Sequence, residues 1–248
     1  MNEKKENLSP QPEKRIKKEK QIKNLENNCE NLSFAAREAF KRLRTNLVMS
    51  FAEDDGQSRI VGVTSAQPSE GKSTVSLNLA YSLAELGKNV LLVDADMRRP
   101  TIHSKVGISV APGLSNLMGD INDISLAVKR YTNTSGTVSF DIIPGGNIPN
   151  NPAELLNSKR MDRLLRALST AYDYVLLDLP PVGAVIDAVS VSKCTDGMLI
   201  VIRENNCPRS VLADCVDQLK FAGVNILGFV VNGALEGAGK KYQYSNYY

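Results

Sequence analysis

Tryptophan is absent from this sequence of 248 residues, and histidine occurs once. No apolar run approaches the roughly 18–20 residues that a membrane-spanning helix needs, so we expect any membrane association to be peripheral or to depend on a partner. The formal net charge of +3 is too small to favour nucleic acid as a ligand. Apolar residues make up 42% of the chain, so we expect most of it to fold.

Cysteine is scarce as well, with Cys29, Cys194, Cys207 and Cys215 as its four occurrences. No two of them have CxxC spacing, and the sequence does not open with a secretory signal pattern. We therefore expect neither a disulfide framework nor a zinc site, and a reduced, cytoplasmic setting.

The two ends of the chain differ in composition from the middle. Residues 1–30 mix Lys, Glu and Asn with few large apolar side chains, so we predict that they are disordered. Residues 233–248 are rich in Gly, Lys and Tyr and are predicted to form a flexible tail. Residues 31–232 between them are predicted to form one domain. The C-terminal tail ends in "KYQYSNYY", which contains Tyr242, Tyr244, Tyr247 and Tyr248.

Strand and helix patterns alternate along the middle of the chain, after a helix for which Ser33 is the predicted N-cap. Strands are predicted at 59–64, 89–94, 138–144, 174–178, 197–202 and 226–232, and further helices at 72–87, 158–171 and 209–222. The strands are continuous apolar runs, which is typical of strands buried on both faces of a parallel sheet. We therefore predict an α/β fold, a doubly wound and mostly parallel sheet with helices on both faces, of the P-loop NTPase type.

The stretch "SAQPSEGKST" follows the first predicted strand and matches a P-loop, except that Ala66 replaces the first glycine. Backbone amides at a helix N-terminus form a concave site for phosphate oxygens. A lysine at this position reaches the β- and γ-phosphates, and the following hydroxyl ligates Mg²⁺. We predict a site for ATP and Mg²⁺ whose nucleotide-binding residues are Ser69, Glu70, Gly71, Lys72, Ser73 and Thr74, with Asn232 as a candidate contact for adenine.

Carboxylates close two further strands, Asp94 and Asp96 in "LLVDADMRRP" and Asp178 in "VLLDLPP". Ligands in open α/β sheets bind beyond the carboxyl ends of the strands, so all three point to the same rim as the P-loop. Asp178 occupies the position of a Walker B carboxylate, which serves the metal ion. The single histidine, His103, is interpreted as a loop residue rather than a general base. If a hydroxyl is activated here, a carboxylate does it, and Asp94 is the first candidate.

Taken together, these motifs resemble Walker A, Walker A′ and Walker B of the bacterial tyrosine kinases of capsule and exopolysaccharide synthesis. The similarity covers roughly residues 33–248 and is to the separate cytoplasmic kinase subunit of Gram-positive bacteria. "GLSNLMGD", "IIPGG", "PNNPAELLNS" and "DGMLIVIR" are also similar to this family. The resemblance implies an ATP-dependent protein-tyrosine autokinase that phosphorylates its tail tyrosines in trans and regulates polysaccharide synthesis and export.

The same resemblance implies roles for individual residues. Lys72 and Ser73 bind phosphate and Mg²⁺, and the tyrosines of the tail accept phosphate. Asp94 and Asp96 are the base and a metal-associated carboxylate, and the division between them stays open. The implied catalytic set is Lys72, Asp94, Asp96 and Asp178, and the implied metal ligands are Ser73, Asp96 and Asp178.

The resemblance also implies partners. These are a transmembrane activator of the polysaccharide co-polymerase type, a cognate tyrosine phosphatase and further copies of the chain, with a ring as one form. Recruitment to the inner face of the membrane follows from the activator. The family's Glu-x-x-Arg-x-x-Arg assembly motif corresponds here to Glu38, Lys41 and Arg44. Lysine at the second position keeps the charge but loses the planar fork of arginine, for which Arg42 is a candidate substitute.

Two alternatives stay open. Partitioning and division-site ATPases share the fold and hydrolyse ATP as a switch, but their P-loop carries an additional lysine near its start, where this chain has Ser65-Ala66-Gln67-Pro68. The other alternative is a nucleotide-binding scaffold without kinase activity. The departures from the family pattern at Lys41 and Leu179 keep this alternative open. Leu179 occupies the position after the Walker B aspartate, where the family commonly has a threonine.

Overall fold

The computed structural model describes residues 30–51, 56–184 and 187–233. Most of the predicted N-terminal tail, and all of the predicted C-terminal tail after Gly233, lie outside the described residues. The four predicted acceptor tyrosines are among them.

Seven strands form a single sheet in the order β3-β4-β2-β5-β1-β6-β7. All neighbouring strands are parallel except β3 and β4, which pair antiparallel. The mostly parallel α/β fold is therefore confirmed. The strands are β1 (Arg59–Ser65), β2 (Val90–Asp94), β3 (Lys129–Thr132), β4 (Ser139–Ile143), β5 (Tyr174–Asp178), β6 (Gly197–Arg203) and β7 (Ile226–Asn232).

Strand β3 is the one described strand that the sequence pattern did not indicate. Its sequence, KRYT, contains no apolar run, and its residues alternate between half-buried and exposed. An edge strand next to β4 needs only one buried face, so the continuous apolar pattern that identified the other strands is missing.

The helices lie on both faces of this sheet. They are α1 (Phe34–Ser50), α2 (Lys72–Ala84), α3 (Ile102–Val106), α4 (Leu114–Met118), α5 (Pro152–Leu156), α6 (Lys159–Leu168), α7 (Asp187–Ser192) and α8 (Arg209–Phe221), with a 3₁₀ turn at Ile124–Leu126. Ser33 caps α1 as predicted, since its hydroxyl accepts a hydrogen bond from Ala36 N at 3.2 Å. Helix α2 ends earlier than the predicted residue 87, and Gly87 follows in a left-handed conformation.

Burial on both faces of the sheet explains the continuous apolar strands. In β2, Leu91 and Val93 pack into the cluster that contains α6 and α8, whereas Val90 and Leu92 pack into the cluster that contains α1 and α2. All four are at most 1% exposed. This packing fixes the position of β2 along the strand direction. It therefore also fixes the position of the carboxylates that follow the strand.

Leu92→Ala should lower the free energy of unfolding by about 2–5 kcal/mol, because it opens a cavity in a layer that the neighbouring side chains cannot refill. Denaturant titration of the purified chain measures this. Leu126→Ala removes the same atoms from a side chain that is 54% exposed and serves as the control. Equal losses in the two variants would contradict the layered core.

Candidate nucleotide site at the carboxyl edge of the sheet

The loop between β1 and α2 wraps the N-terminus of α2. Gly71 occupies the cap position with φ +93°, and Ser69 is also left-handed with φ +66°. A β-carbon at Gly71 would collide with the amide of Asn232, so the glycine allows both the turn and the close approach of β7. This geometry leaves the first backbone amides of α2 without helical partners and able to bind an anion.

Glu70 and Asn232 stabilise the loop through hydrogen bonds. The Glu70 carboxylate is fully buried and accepts a hydrogen bond from Gln67 N at 2.8 Å. The side-chain amide of Asn232 donates to Glu70 O at 2.9 Å. Both residues were predicted to bind nucleotide. The Glu70 side chain is turned into the loop, whereas Asn232 contacts the loop and lines the cavity, and their contacts with nucleotide stay predictions.

Lys72 lies among the carboxylates that end β2 and β5. Its Nζ is 2.8 Å from Asp96 Oδ2 and 3.7 Å from Asp178 Oδ2. The other oxygen of Asp178 accepts a hydrogen bond from the hydroxyl of Ser76 at 3.1 Å. Burial acts to lower the pKa of the Lys72 ammonium, but the charges of Asp178 and Asp96 outweigh it and raise that pKa. Lys72 is therefore held as a cation.

Asp94 and Asp96 lie in different environments although one residue separates them. Asp94 is fully buried, and its Oδ2 accepts hydrogen bonds from the backbone amides of Thr101 at 2.9 Å and Ile102 at 3.0 Å. Its Oδ1 has no hydrogen-bond partner. Burial, with the charge of Asp178 beside it, raises the pKa of Asp94 to about 8. Asp96, in contrast, reaches the cavity wall.

A cavity of about 870 Å³ lies above these residues. Its wall contains seven residues that were predicted from the sequence, namely Ser69, Gly71, Lys72, Ser73, Thr74, Asp96 and Asn232. Asp94 and Asp178 lie beneath it and are 0% exposed. The predicted carboxylates and the P-loop therefore meet at one edge of the sheet, as their positions at strand ends indicated.

Four cations on the cavity wall were not predicted: Arg98, Arg99, Lys105 and Arg203. The two adjacent arginines follow Asp96 after Met97, so their proximity could have been inferred from the motif. Lys105 and Arg203 are distant in sequence from the P-loop, and only packing brings them to it. The cavity lining also includes the apolar residues Leu32, Ala36 and Phe40, from the start of α1 and the segment before it.

The oxygen donors at this edge fit Mg²⁺, which prefers hard oxygen ligands and keeps few of them from protein. Ser73 supplies a hydroxyl, and Asp96 and Asp178 supply carboxylates. Asp178 Oδ2 is buried and has no hydrogen-bond partner, and a cation would satisfy it. No group of three His, Cys, Asp or Glu side chains in the described ranges forms a ready metal site.

His103 lies in α3 and not in a loop as predicted. Its Nδ1 is buried without a hydrogen-bond partner, and burial lowers the pKa of its imidazole. It is not among the residues that line the cavity. The structure therefore offers no geometry that would make His103 a general base.

Two departures from the family pattern have a structural location. Leu179 is fully buried in the apolar cluster on the α6 face, so its side chain points away from the carboxylates. Lys41 lies on α1 and pairs with Glu38 on the same helix at 2.8 Å. Arg44 is turned inward, and its Nη1 donates to Ser82 O at 2.6 Å and lies 3.6 Å from Glu85. Their role in assembly stays a prediction.

Other predictions concern absences. Among the described residues, Cys194, Cys207 and Cys215 are free thiols. Within the part of the chain that the structure describes, no helix has both the length and the apolar character to cross a bilayer.

Without bound metal, Asp94→Asn should stabilise the chain increasingly as the pH rises. The pKa of Asp94 is raised in the folded state, so below about pH 4 the carboxyl is protonated in both the folded and the unfolded chain. Between about pH 4 and pH 8 only the unfolded chain releases this proton readily, so the free energy of unfolding of the wild type falls as the pH rises. The difference in free energy of unfolding between variant and wild type should grow by more than about 1 kcal/mol, because one pKa unit corresponds to about 1.4 kcal/mol.

Urea titrations in EDTA at several pH values measure this difference. Asp123→Asn is the control, because a hydrogen bond from Ser125 lowers the pKa of that exposed carboxyl. Its contribution is lost toward acid pH, the opposite direction. A difference for Asp94→Asn that stays constant from pH 4 to pH 8 would show that the buried carboxyl is not destabilised by ionisation.

Comparison with known proteins places this geometry in a family. An AAA domain model matches residues 58–221. The tyrosine-protein kinase YwqD of Bacillus subtilis is 37% identical over 84% of this chain and 85% of that protein. The tyrosine-protein kinase CpsD of Streptococcus agalactiae is 30% identical over 85% of this chain and 89% of that protein. The Escherichia coli tyrosine-protein kinase etk is 34% identical, with this chain covering 29% of its length.

Solved structures agree with these relatives. The kinase domain of Escherichia coli tyrosine kinase ETK superposes with a TM-score of 0.75 at 34% identity, over 84% of this chain and 80% of that one. The septum site-determining protein MinD of Pyrococcus horikoshii, complexed with Mg-ADP, gives a lower TM-score of 0.56 at 27% identity, over 70% of each chain. The relatives of similar length are named tyrosine kinases, and this chain belongs to the bacterial tyrosine-protein kinase family.

Proposed function

We propose that this chain transfers the γ-phosphoryl group of Mg-ATP to tyrosine. The observation that carries the proposal is the contact of the P-loop lysine, Lys72, with the strand-end carboxylates Asp96 and Asp178 on the floor and wall of a large cavity. Phosphoryl transfer requires mainly positioning and charge neutralisation, and this arrangement supplies both. The relatives named as tyrosine kinases support tyrosine as the acceptor.

In the proposed reaction the tyrosine oxygen forms a bond to the γ-phosphorus, the bond to the bridging oxygen breaks, and ADP leaves. Lys72 would exchange its contact with Asp96 for phosphate oxygens. Ser73, Asp96 and Asp178 would hold Mg²⁺, which neutralises charge on the phosphates when bound. We assign Asp96 to the metal because it reaches the cavity. In this proposal the ionised form of Asp94 accepts the phenolic proton through Oδ1, the oxygen that has no hydrogen-bond partner.

We further propose that the acceptors are Tyr242, Tyr244, Tyr247 and Tyr248 of another copy of the chain. The last described residue, Gly233, lines the cavity, which supports an acceptor segment that follows it in the sequence. A membrane-spanning activator, a phosphatase that reverses the reaction and a role in capsule or exopolysaccharide synthesis belong to the same proposal. One relative is named a putative tyrosine-protein kinase in the cps region of Klebsiella pneumoniae.

The alternative of an ATPase switch has weaker support. The MinD structure shares the fold, but its TM-score of 0.56 is below the 0.75 of the ETK kinase domain. The scaffold alternative loses one of its two arguments, because Leu179 lies in the apolar core and a hydroxyl there would not face the metal ligands.

Intact-mass analysis after incubation with Mg-ATP and the activator's cytoplasmic segment tests the proposal. The wild-type chain should gain the mass of up to four phosphoryl groups, one on each tail tyrosine. Lys72→Met should gain none, because the phosphates lose their lysine. A variant with phenylalanine at the four tail tyrosines should still bind nucleotide but gain no phosphate. Unmodified wild-type chain under these conditions would refute the autokinase proposal.

Phosphorylation of the tail should also loosen any oligomer. Each phosphotyrosine adds about −1.5 to −2 charges, so four add roughly −6 to −8 within seven residues. Like charges of this density repel one another, so the phosphorylated tails of neighbouring copies should separate. Light scattering before and after phosphorylation should show a lower mass-average size, with the four-phenylalanine variant as the unphosphorylated control. An unchanged distribution would contradict the regulatory part of the proposal.

A further inference from the structure

A second lysine reaches the nucleotide cavity from α3. Lys105 Nζ donates a hydrogen bond to Thr74 Oγ1 at 3.0 Å. Thr74 lies in the first turn of α2, directly after Lys72 and Ser73, and all four residues line the cavity. A cation from another helix is therefore in contact with a residue of the predicted phosphate site.

Three cations of the cavity wall make their contacts at or beside the P-loop. Lys72 is already compensated by Asp96 at 2.8 Å and Asp178 at 3.7 Å. Arg203 Nη1 is directed to Ser69 O at 3.5 Å. The contact with Thr74 holds the Lys105 ammonium beside the first turn of α2.

The environment of Lys105 also favours an anion. Burial lowers the pKa of its ammonium, the charge of Asp178 acts in the opposite direction, and the charge of Lys72 lowers the pKa further. The side chain has thus given up part of its hydration in the folded chain. A phosphate oxygen would restore what burial removed, with little further loss of side-chain freedom.

We propose that Lys105 is a second phosphate-binding lysine, which contacts the phosphate chain of the nucleotide from the α3 side of the cavity beside Thr74. This inference rests on the proposed function, because it assumes that the cavity binds a nucleotide. It assigns a cation in the same chain to the phosphates, in addition to the P-loop lysine. A purely structural role, in which Lys105 only joins α3 to α2, predicts different outcomes.

Calorimetric titration with Mg-ADP separates these roles. Lys105→Met should weaken binding by about ten- to a hundredfold, the effect expected when one hydrogen bond to a charged group is lost. Lys105→Arg keeps the charge and should restore most of the affinity. Lys220→Met removes an exposed lysine at the end of α8 that is not part of the cavity wall, and it should bind as the wild type does. Inorganic pyrophosphate with Mg²⁺ should displace a fluorescent ADP analogue less well from Lys105→Met than from wild type.

The outcomes distinguish this inference from the proposed function. Equal affinity of Lys105→Met and wild type for Mg-ADP would refute the role of Lys105 and leave the kinase proposal standing. Unchanged displacement by pyrophosphate would refute a contact with phosphate. A loss of affinity that Lys105→Arg shares, with an equal fall in the melting temperature of the ligand-free chain, would assign Lys105 a structural role. If the wild type binds no Mg-ADP, both proposals fail.

Discussion

The structure depends on one electrostatic constraint, the burial of carboxylates beside a buried lysine at the carboxyl edge of the sheet. Asp94 and Asp178 are fully buried and face each other in register on β2 and β5. Two buried carboxylates repel each other and lack hydration, so the fold must supply compensation. Lys72 provides it through the charges, and the backbone amides of Thr101 and Ile102 provide it through hydrogen bonds. The same constraint prepares the site for a metal ion, since a divalent cation would relieve the repulsion more fully than one lysine can.

The shape of the P-loop depends on contacts with the end of β7 as well as on contacts within the loop. Glu70 fixes the loop from within, and Asn232 at the end of β7 holds the carbonyl of Glu70. The order β1-β6-β7 brings the ends of β6 and β7 beside the loop. The nucleotide site is thus assembled from both halves of the sheet, with acidic groups on the β2 and β5 side and the loop supports on the β6 and β7 side. A doubly wound topology makes this possible because both halves end at the same rim.

Much of the site could be predicted because its residues follow strands that have clear patterns. The apolar runs before Asp94 and Asp178 identify parallel strands, and parallel strands end at a common edge. The Gly71-Lys72-Ser73 sequence identifies the phosphate loop for a similar reason, since it lies between a buried strand and a helix. Prediction failed where the pattern was local and short. Strand β3 has no apolar run, and α3 is too brief to show helical periodicity, so His103 was assigned to a loop.

The sequence by itself determined the order of the six apolar strands, the chemical character of the loop and the edge at which the charged groups meet. Only the tertiary structure decided which groups face the cavity. It buried Asp94 and left Asp96 at the wall, turned Leu179 into the core, and brought Lys105 to Thr74 across 31 residues of chain. The physical reason is that periodicity and strand ends are properties of neighbouring residues. The direction of one side chain depends on packing between elements that are distant in sequence, and no local pattern encodes it.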